Sequence, residues 1–305
     1  MTINTIEYGK ILQRKLDQAA IVGATSGWME KNAGNVIYNG GDEVKIPTMT
    51  TVGLADYDRD NGFVQGGISV KYNTYKMTQD RGRTFHLDAM DVDESNFVAT
   101  ATNVIKVFQS ENVIPELDAY RYSKIASIAT AANQFEAATL NSKTVLSKLK
   151  EDILKIQDII GYNKELVITL PGKIWGLLSD AGEIGKSINV SEFKQGNVDT
   201  RIFKFNGNII LPVPANRLKT KYEFLDGTTG GQEAGGIKAA SDAKDINWII
   251  TPQSVPMAIS KTDKFRIFSP DVNQKADAWK IDYRVYHDLW IKKSDEKSIF
   301  VLTEA

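Results

Sequence analysis

The chain has 305 residues, 42% of them hydrophobic and 25% charged, with a formal net charge of −1, the make-up of a soluble globular protein of one large or two ordinary domains. Interspersed charge near zero argues against a protein that grips phosphate backbone tightly, because that task needs a concentrated basic surface. The absence of cysteine and the presence of only two histidines, His86 and His287, exclude disulfides, thiol catalysis and cysteine-ligated zinc and leave little imidazole chemistry.

The amino-terminal MTINTIEYGKILQRKLDQ interrupts its apolar residues with charge and lacks the apolar core of a secretion signal. No run approaches the roughly 20 apolar residues that span a bilayer, so the expectation is a soluble protein made in a cytoplasm. Ile11, Leu12 and Leu16 share one helical face, and the polar run Glu30 to Gly41 follows. So little apolar content predicts an arm that lies on something else.

Glu43 to Met49 and Gly67 to Met77 read as two strands of a long hairpin, with the turn signal Asn61-Gly62 in a polar tip. Ile68, Val70 and Tyr72 alternate on one face, whereas Tyr75 and Met77 have the opposite parity. This slip predicts a bulge or bend near Asn73-Thr74. The turn-forming Arg81-Gly82-Arg83 then leads into a short strand.

Asp91-Val92-Asp93-Glu94 offers an acidic helix cap, and Phe97, Val98, Ala101, Val104, Ile105 and Phe108 form a stripe at helical spacing. Pro115 is expected to end this helix and start the next. Val145, Leu149, Ile153, Ile156 and Ile160 mark a third helix, Leu166 to Leu170 a strand, and Pro171 opens a helix carrying Ile174, Trp175, Leu177 and Leu178.

Strands follow at Arg201 to Phe205, Asn208 to Val213, Trp248 to Thr251 and Phe265 to Phe268. The intervening GTTGGQEAGGIKAASDAKD reads as a flexible loop. At the end Trp279, Ile281, Tyr283, Val285, His287, Leu289 and Ile291 share one face, opposite Lys280, Asp282, Arg284 and Asp288. A charged turn, Lys292 to Lys297, then predicts a closing hairpin with Ser298 to Leu302.

Candidate chemistry is sparse. His86, Asp88, Asp91 and Asp93 fall within eight residues, but a strand passing into a helix cap would scatter them, and the central glycine of a calcium loop is missing. A cap and solvated turn is the better account. Asp180 to Ser187 nearly spells a phosphate-binding loop, yet Asp180 replaces the first glycine and a helix precedes it instead of a strand.

Gly227 to Gly236 lacks the flanking strand and helix of a dinucleotide site. His287 and Asp288 point to opposite faces of a strand, which favours a core histidine over a general base. Asn189-Val190-Ser191 matches a glycosylation acceptor, a signal without meaning in an unsecreted chain. No nucleophile, base and oxyanion donor combine, so no catalytic, cofactor-binding or metal residue is assigned and no enzyme is expected.

In element order the chain resembles the major capsid proteins of tailed bacteriophages with the Hong Kong 97-like fold. The resemblance rests on Val44-Lys45-Ile46-Pro47, Asp80-Arg81-Gly82-Arg83, Asp88-Ala89-Met90-Asp91-Val92-Asp93-Glu94 and Pro115-Glu116-Leu117-Asp118-Ala119-Tyr120-Arg121. Asp245 to Ile250, Ala258 to Lys261 and Asp282 to Asp288 complete it. It implies an α+β fold with an amino-terminal arm over 1–41, an extended β-hairpin loop over 42–86, and a peripheral domain with a long spine helix over 87–133. An axial domain over 134–260 and return strands of the peripheral domain over 261–305 follow, with the glycine-rich loop near Gly227 a candidate for the capsomer centre.

The same resemblance implies self-assembly into pentamers and hexamers of an icosahedral shell around double-stranded DNA, assembled in a bacterial cytoplasm. Portal, scaffold or protease, and head-decoration proteins are the implied partners; contact with packaged DNA is weak and non-specific, and no membrane or cofactor is involved. Some such proteins crosslink lysine to asparagine, but no motif here assigns that pair. The alternatives are an encapsulin-like nanocompartment shell, a tail or surface structural protein, and a metal-dependent enzyme centred on His86 and Asp88.

Overall fold

The computed structural model describes residues 23–35, 37–38, 43–88, 104–181, 188–195, 198–270, 272–273 and 277–305. The helical pattern around Ile11 and the acidic cap at 91–94 lie outside these residues, as do Phe97, Val98 and Ala101. A 3-10 segment, Gly27–Asn35, precedes β1 (Ile37–Tyr38), β2 (Glu43–Thr51), β3 (Ile68–Lys76) and β4 (Gln79–Asp88). Next come the helix α1 (Ile114–Ala131), β5 (Phe135–Ala137), α2 (Val145–Ile160), β6 (Leu166–Pro171) and α3 (Gly172–Asp180).

The rest is strand: β7 (Ile188–Gln195), β8 (Val198–Phe205), β9 (Asn208–Val213), β10 (Tyr222–Phe224), β11 (Ile237–Ala239), β12 (Ile246–Pro252), β13 (Met257–Phe268), β14 (Ala278–Trp290) and β15 (Phe300–Thr303). Seven strands form one sheet in the order β5-β15-β12-β6-β9-β8-β7. Its central strands are continuous apolar runs, as expected where both faces are covered.

Val167, Ile209, Ile249 and Val301 meet Tyr122, Ile125 and Ala129 of α1 on one face, together with Trp28 and Met29. Leu166, Ile168, Ile210, Trp248 and Ile250 meet Val145, Leu149, Ile153 and Ile156 of α2 and Ile174 and Leu178 of α3 on the other. The result is three layers, helix on sheet on helix. Asn206 and Gly207 both have positive φ, 49° and 79°, and close the β8–β9 hairpin as a two-residue turn whose twist suits antiparallel strands.

A second sheet, β13-β14-β4, packs Phe265, Ile281, Tyr283 and Val285 against Ile105, Val113 and Leu117 of the long helix. That helix continues through Pro115 instead of breaking there. Residues 104–108 are helical, Gln109–Val113 forms a π-turn, and α1 follows directly with Val113 and Ile114 in helical dihedrals. Proline lacks an N–H and crowds the carbonyl one turn back; a wider turn relieves both without ending the helix.

Three further expectations are corrected. The β2–β3 register runs without a shift from Glu43↔Lys76 to Thr51↔Ile68, so no bulge occurs at Asn73-Thr74. The parity change instead marks where cover changes: Val44, Ile46 and Tyr75 pack at the root, whereas Val70 and Tyr72 occupy the opposite, exposed face. The closing hairpin does not form, because β15 leaves β14 to lie between β5 and β12 of the seven-stranded sheet. And the polar run read from Glu30 to Gly41 is not loose over 30–35, which belongs to a 3-10 segment lying on its own chain and anchored by the buried Trp28 and Met29.

Candidate assembly site

The sequence places no catalytic constellation, and the most distinctive surface is the hairpin of β2 and β3. At its root, Val44, Ile46 and Met77 are buried against Met257 and Trp290, with the Tyr75 and Trp290 ring centroids 6.0 Å apart. Beyond the root, none of the described residues covers the face shared by Met49, Ile68, Val70 and Tyr72, each being 48–71% exposed. The tip adds Val52, Leu54, Tyr57, Phe63 and Val64, also exposed.

Among the described residues, nine of the fourteen large hydrophobics left exposed lie between Met49 and Tyr72. The tip is nevertheless ordered within itself. Asp58 and Gly62 exchange backbone bonds at 3.2 and 2.8 Å, and the Tyr57 and Phe63 rings meet edge to face at 4.9 Å. Asp58 also accepts from the Asp60 N–H and the Asn61 amide, which hold its carboxyl below the usual range.

Under the root lies a polar junction. Asp288 is fully buried and accepts from the Thr78 N–H and hydroxyl, both at 2.9 Å, and from the Tyr120 hydroxyl at 2.6 Å. Burial, followed by the Asp288 charge, pushes the Tyr120 phenol well above its usual value, so it stays a donor. This corrects the expectation of Asp288 on a polar outer face: the strand is covered on both sides there, because α1 and the hairpin root meet over it.

His287 does lie on the opposite face, 2% exposed and edge-on to Tyr120 at 5.2 Å. Burial, then the charges of Arg121 and Arg81, push its pKa down to about 3. It is a neutral core group. His86 and Asp88 both fall on the exposed face of β4, away from the half-buried Phe85 and Leu87.

Asp91 and Asp93 lie outside the described residues, among which no group of three potential ligands converges to hold a metal. Asp180 ends α3, and Gly182 to Ser187 lie outside the described residues. The glycine-rich run differs from a featureless loop: β10 and β11 pair as a ribbon, and Leu225, Gln232 and Gly235 donate backbone bonds within its turns. It folds over β4, where Arg81 and Arg83 donate to its carbonyls.

A second buried centre, Asp118 on α1, is 0% exposed. It accepts from the N–H and hydroxyl of both Thr25 and Ser26 at 2.6–3.1 Å and pairs with Arg217 at 3.0 Å. Arg121, three residues on and nearly one helical turn away, donates to Ser26 and pairs with Glu30 at 2.6 Å. Two orphan donors at the start of the 3-10 segment thus find a charged acceptor. The available signal was Asp118 at helical spacing with Tyr122 and Ile125, an acid on an apolar stripe.

No family model matches the sequence, and no curated protein matches it either. Solved structures do. A chain in the asymmetric unit of the mature capsid of bacteriophage PhiM1 is 11% identical with a TM-score of 0.56, over 88% of this chain and 84% of that one. A chain of Gordonia phage Cozz is 14% identical with a TM-score of 0.55, over 88% and 83%.

The virus-like particle of Pyrococcus furiosus gives 12% identity and a TM-score of 0.53, over 97% of this chain and 100% of that one. The chain therefore has the Hong Kong 97-like fold of tailed-phage capsid proteins, α+β in class. Among the described residues no helix is long and apolar enough to cross a membrane.

Proposed function

We propose that this chain is the major capsid protein of a tailed phage or prophage, assembling as pentamers and hexamers into an icosahedral head around double-stranded DNA. The observation that carries the proposal is the hairpin: two strands in a capsid fold that run on past the short β1 paired at their root, with an apolar face and tip that the described residues leave uncovered. An isolated two-stranded hairpin is marginal in water, and a large exposed apolar patch marks an interaction surface. A neighbouring copy would cover it, and repetition of one such contact by symmetry closes a shell.

In this reading 1–41 is the arm, 42–86 the extended loop, 87–133 the spine region, 134–260 the axial domain and 261–305 the return to the peripheral domain. Here β4 and β15 are exceptions: β4 pairs with β14 of the return strands, and β15 shares a sheet with β12 and β6. Portal, scaffold or protease, and head-decoration proteins would be its partners in the host cytoplasm. Near-neutral charge suits an inner wall that holds DNA weakly and releases it.

Negative-stain microscopy of the expressed protein, alone and with the products of neighbouring genes, tests the proposal. Pentamers, hexamers or closed shells are expected, and a chain that stays monomeric at high concentration in every combination would sink it. Similarity to the Pyrococcus furiosus particle over 97% of this chain and 100% of that one favours a second reading, an encapsulin-like shell. Shells filled with a cargo enzyme and no portal vertex would decide for that alternative.

A further inference from the structure

Arg81 joins three elements that are distant in the chain. Its Nε and Nη2 hold both carboxylate oxygens of Glu116 on α1, at 2.6 and 3.4 Å. Nη1 donates to the Leu225 carbonyl at 2.9 Å and Nη2 to the Gly236 carbonyl at 3.2 Å. Leu225 and Gly236 are themselves bonded across the glycine ribbon at 3.0 Å, so the guanidinium straddles the ribbon's mouth while its Cζ lies over the Phe224 ring, 5.8 Å from the centroid.

The position of Arg81 gives this clamp leverage. β3 belongs to the hairpin sheet and β4 to the β13-β14-β4 sheet, so the chain changes sheets across Met77 and Thr78. Asp288 pins that swivel through Thr78, and Arg81 is the first residue beyond it to hold both the long helix and the ribbon. Glycines supply the close approach on both sides. A Cβ on Gly82 would stand 2.7 Å from the Tyr283 carbonyl, and one on Gly227, at φ +75°, would stand 2.8 Å from Nη1 of Arg83.

We propose that Arg81 is a positioning residue for assembly, a clamp that fixes the direction in which the hairpin leaves the body relative to the long helix and the glycine ribbon. Resting on the capsid reading above, the inference makes the clamp a determinant of shell curvature: a heterologous contact closes only if each copy repeats one rotation. Lysine cannot replace arginine here. It keeps the charge but lacks the planar fork that serves a carboxylate and two carbonyls at once.

The test pairs hydrogen exchange on the unassembled full chain with particle diameters after assembly, for wild type, Arg81→Lys and Glu116→Gln. Losing charge-assisted bonds to the ribbon predicts that its amides over 225–236 exchange about tenfold faster in Arg81→Lys, while amides of β6 and β12 are unchanged. The assembled variant should lose its single diameter and give mixed sizes or open sheets. Glu116→Gln keeps the fork to the carbonyls and should show both changes to a smaller degree.

Unchanged ribbon exchange overturns the proposal, as does faster exchange with the wild-type diameter. If Arg81→Lys fails to fold, Glu116→Gln decides by the same two readings. Failure of the wild type to assemble would count against the capsid reading, while the exchange experiment would still decide whether Arg81 is a clamp.

Discussion

The seven-stranded sheet and the β2–β3 hairpin are built from similar material and treated oppositely by the fold. Both consist of paired strands rich in Val, Ile and aromatic residues. In β6 and β12 every residue is buried, because helices cover both faces; in the hairpin the described residues cover one face at the root only, and from Met49 to Tyr72 they leave the side chains in solvent. Apolar content therefore serves stability in the first region and remains available to a neighbour in the second. A substitution should accordingly harm either folding or assembly, depending on the region it falls in.

The sharpest way to break this contrast is in the sheet. Trp248 is 0% exposed and donates from Nε1 to Asp152 at 3.0 Å. Trp248→Ala should cost about 3–5 kcal/mol through lost burial and the cavity left behind, read as a lower midpoint in urea denaturation. Next comes Asp118→Ala, which leaves Arg217 and the start of the 3-10 segment without their acceptor. Breaking a buried pair costs about 3–5 kcal/mol, and proteolysis near residues 24–35 should accelerate with it.

A smaller effect depends on pH. His287 has its pKa lowered from 6.5 to about 3, so between those values the unfolded chain binds the proton that the folded chain refuses. Its contribution is intact above pH 6.5 and lost progressively as pH falls toward 3, on the order of a few kcal/mol in total. Thermal melts over that range should show His287→Leu with a flatter acid limb than the wild type. Equal slopes would place the proton elsewhere.

The smallest effect on folding should come with the largest on assembly. Met49→Glu combined with Val70→Lys, on exposed positions paired across the hairpin, should shift monomer stability by no more than about 0.5 kcal/mol. Sedimentation and microscopy should find capsomers or shells lost. If the double variant unfolds the monomer, or assembles like the wild type, the hairpin face is not the contact surface and the contrast between the two regions fails.

Local pattern determined much of this protein. The period of 3.6 in Val145 to Ile160, the apolar run at Leu166 to Leu170, the Asn61-Gly62 turn and the alternation from Ile281 to His287 each depend on neighbours within a few residues, and each forms as expected. Only the tertiary structure decided which sheet β15 joins, how Pro115 is absorbed, and what lies over each face of the hairpin. Those outcomes depend on partners far along the chain, which periodicity does not register.

The polar centres divide in the same way. Asp118 and Asp288 look in the sequence like acids on a helix and an outer strand face, yet both are fully buried. Their donors come from Thr25 and Ser26, 93 and 92 residues away, and from Thr78 and Tyr120, 210 and 168 residues away. A carboxylate can be buried only where such donors converge, and convergence is a property of the fold, not of spacing along the chain.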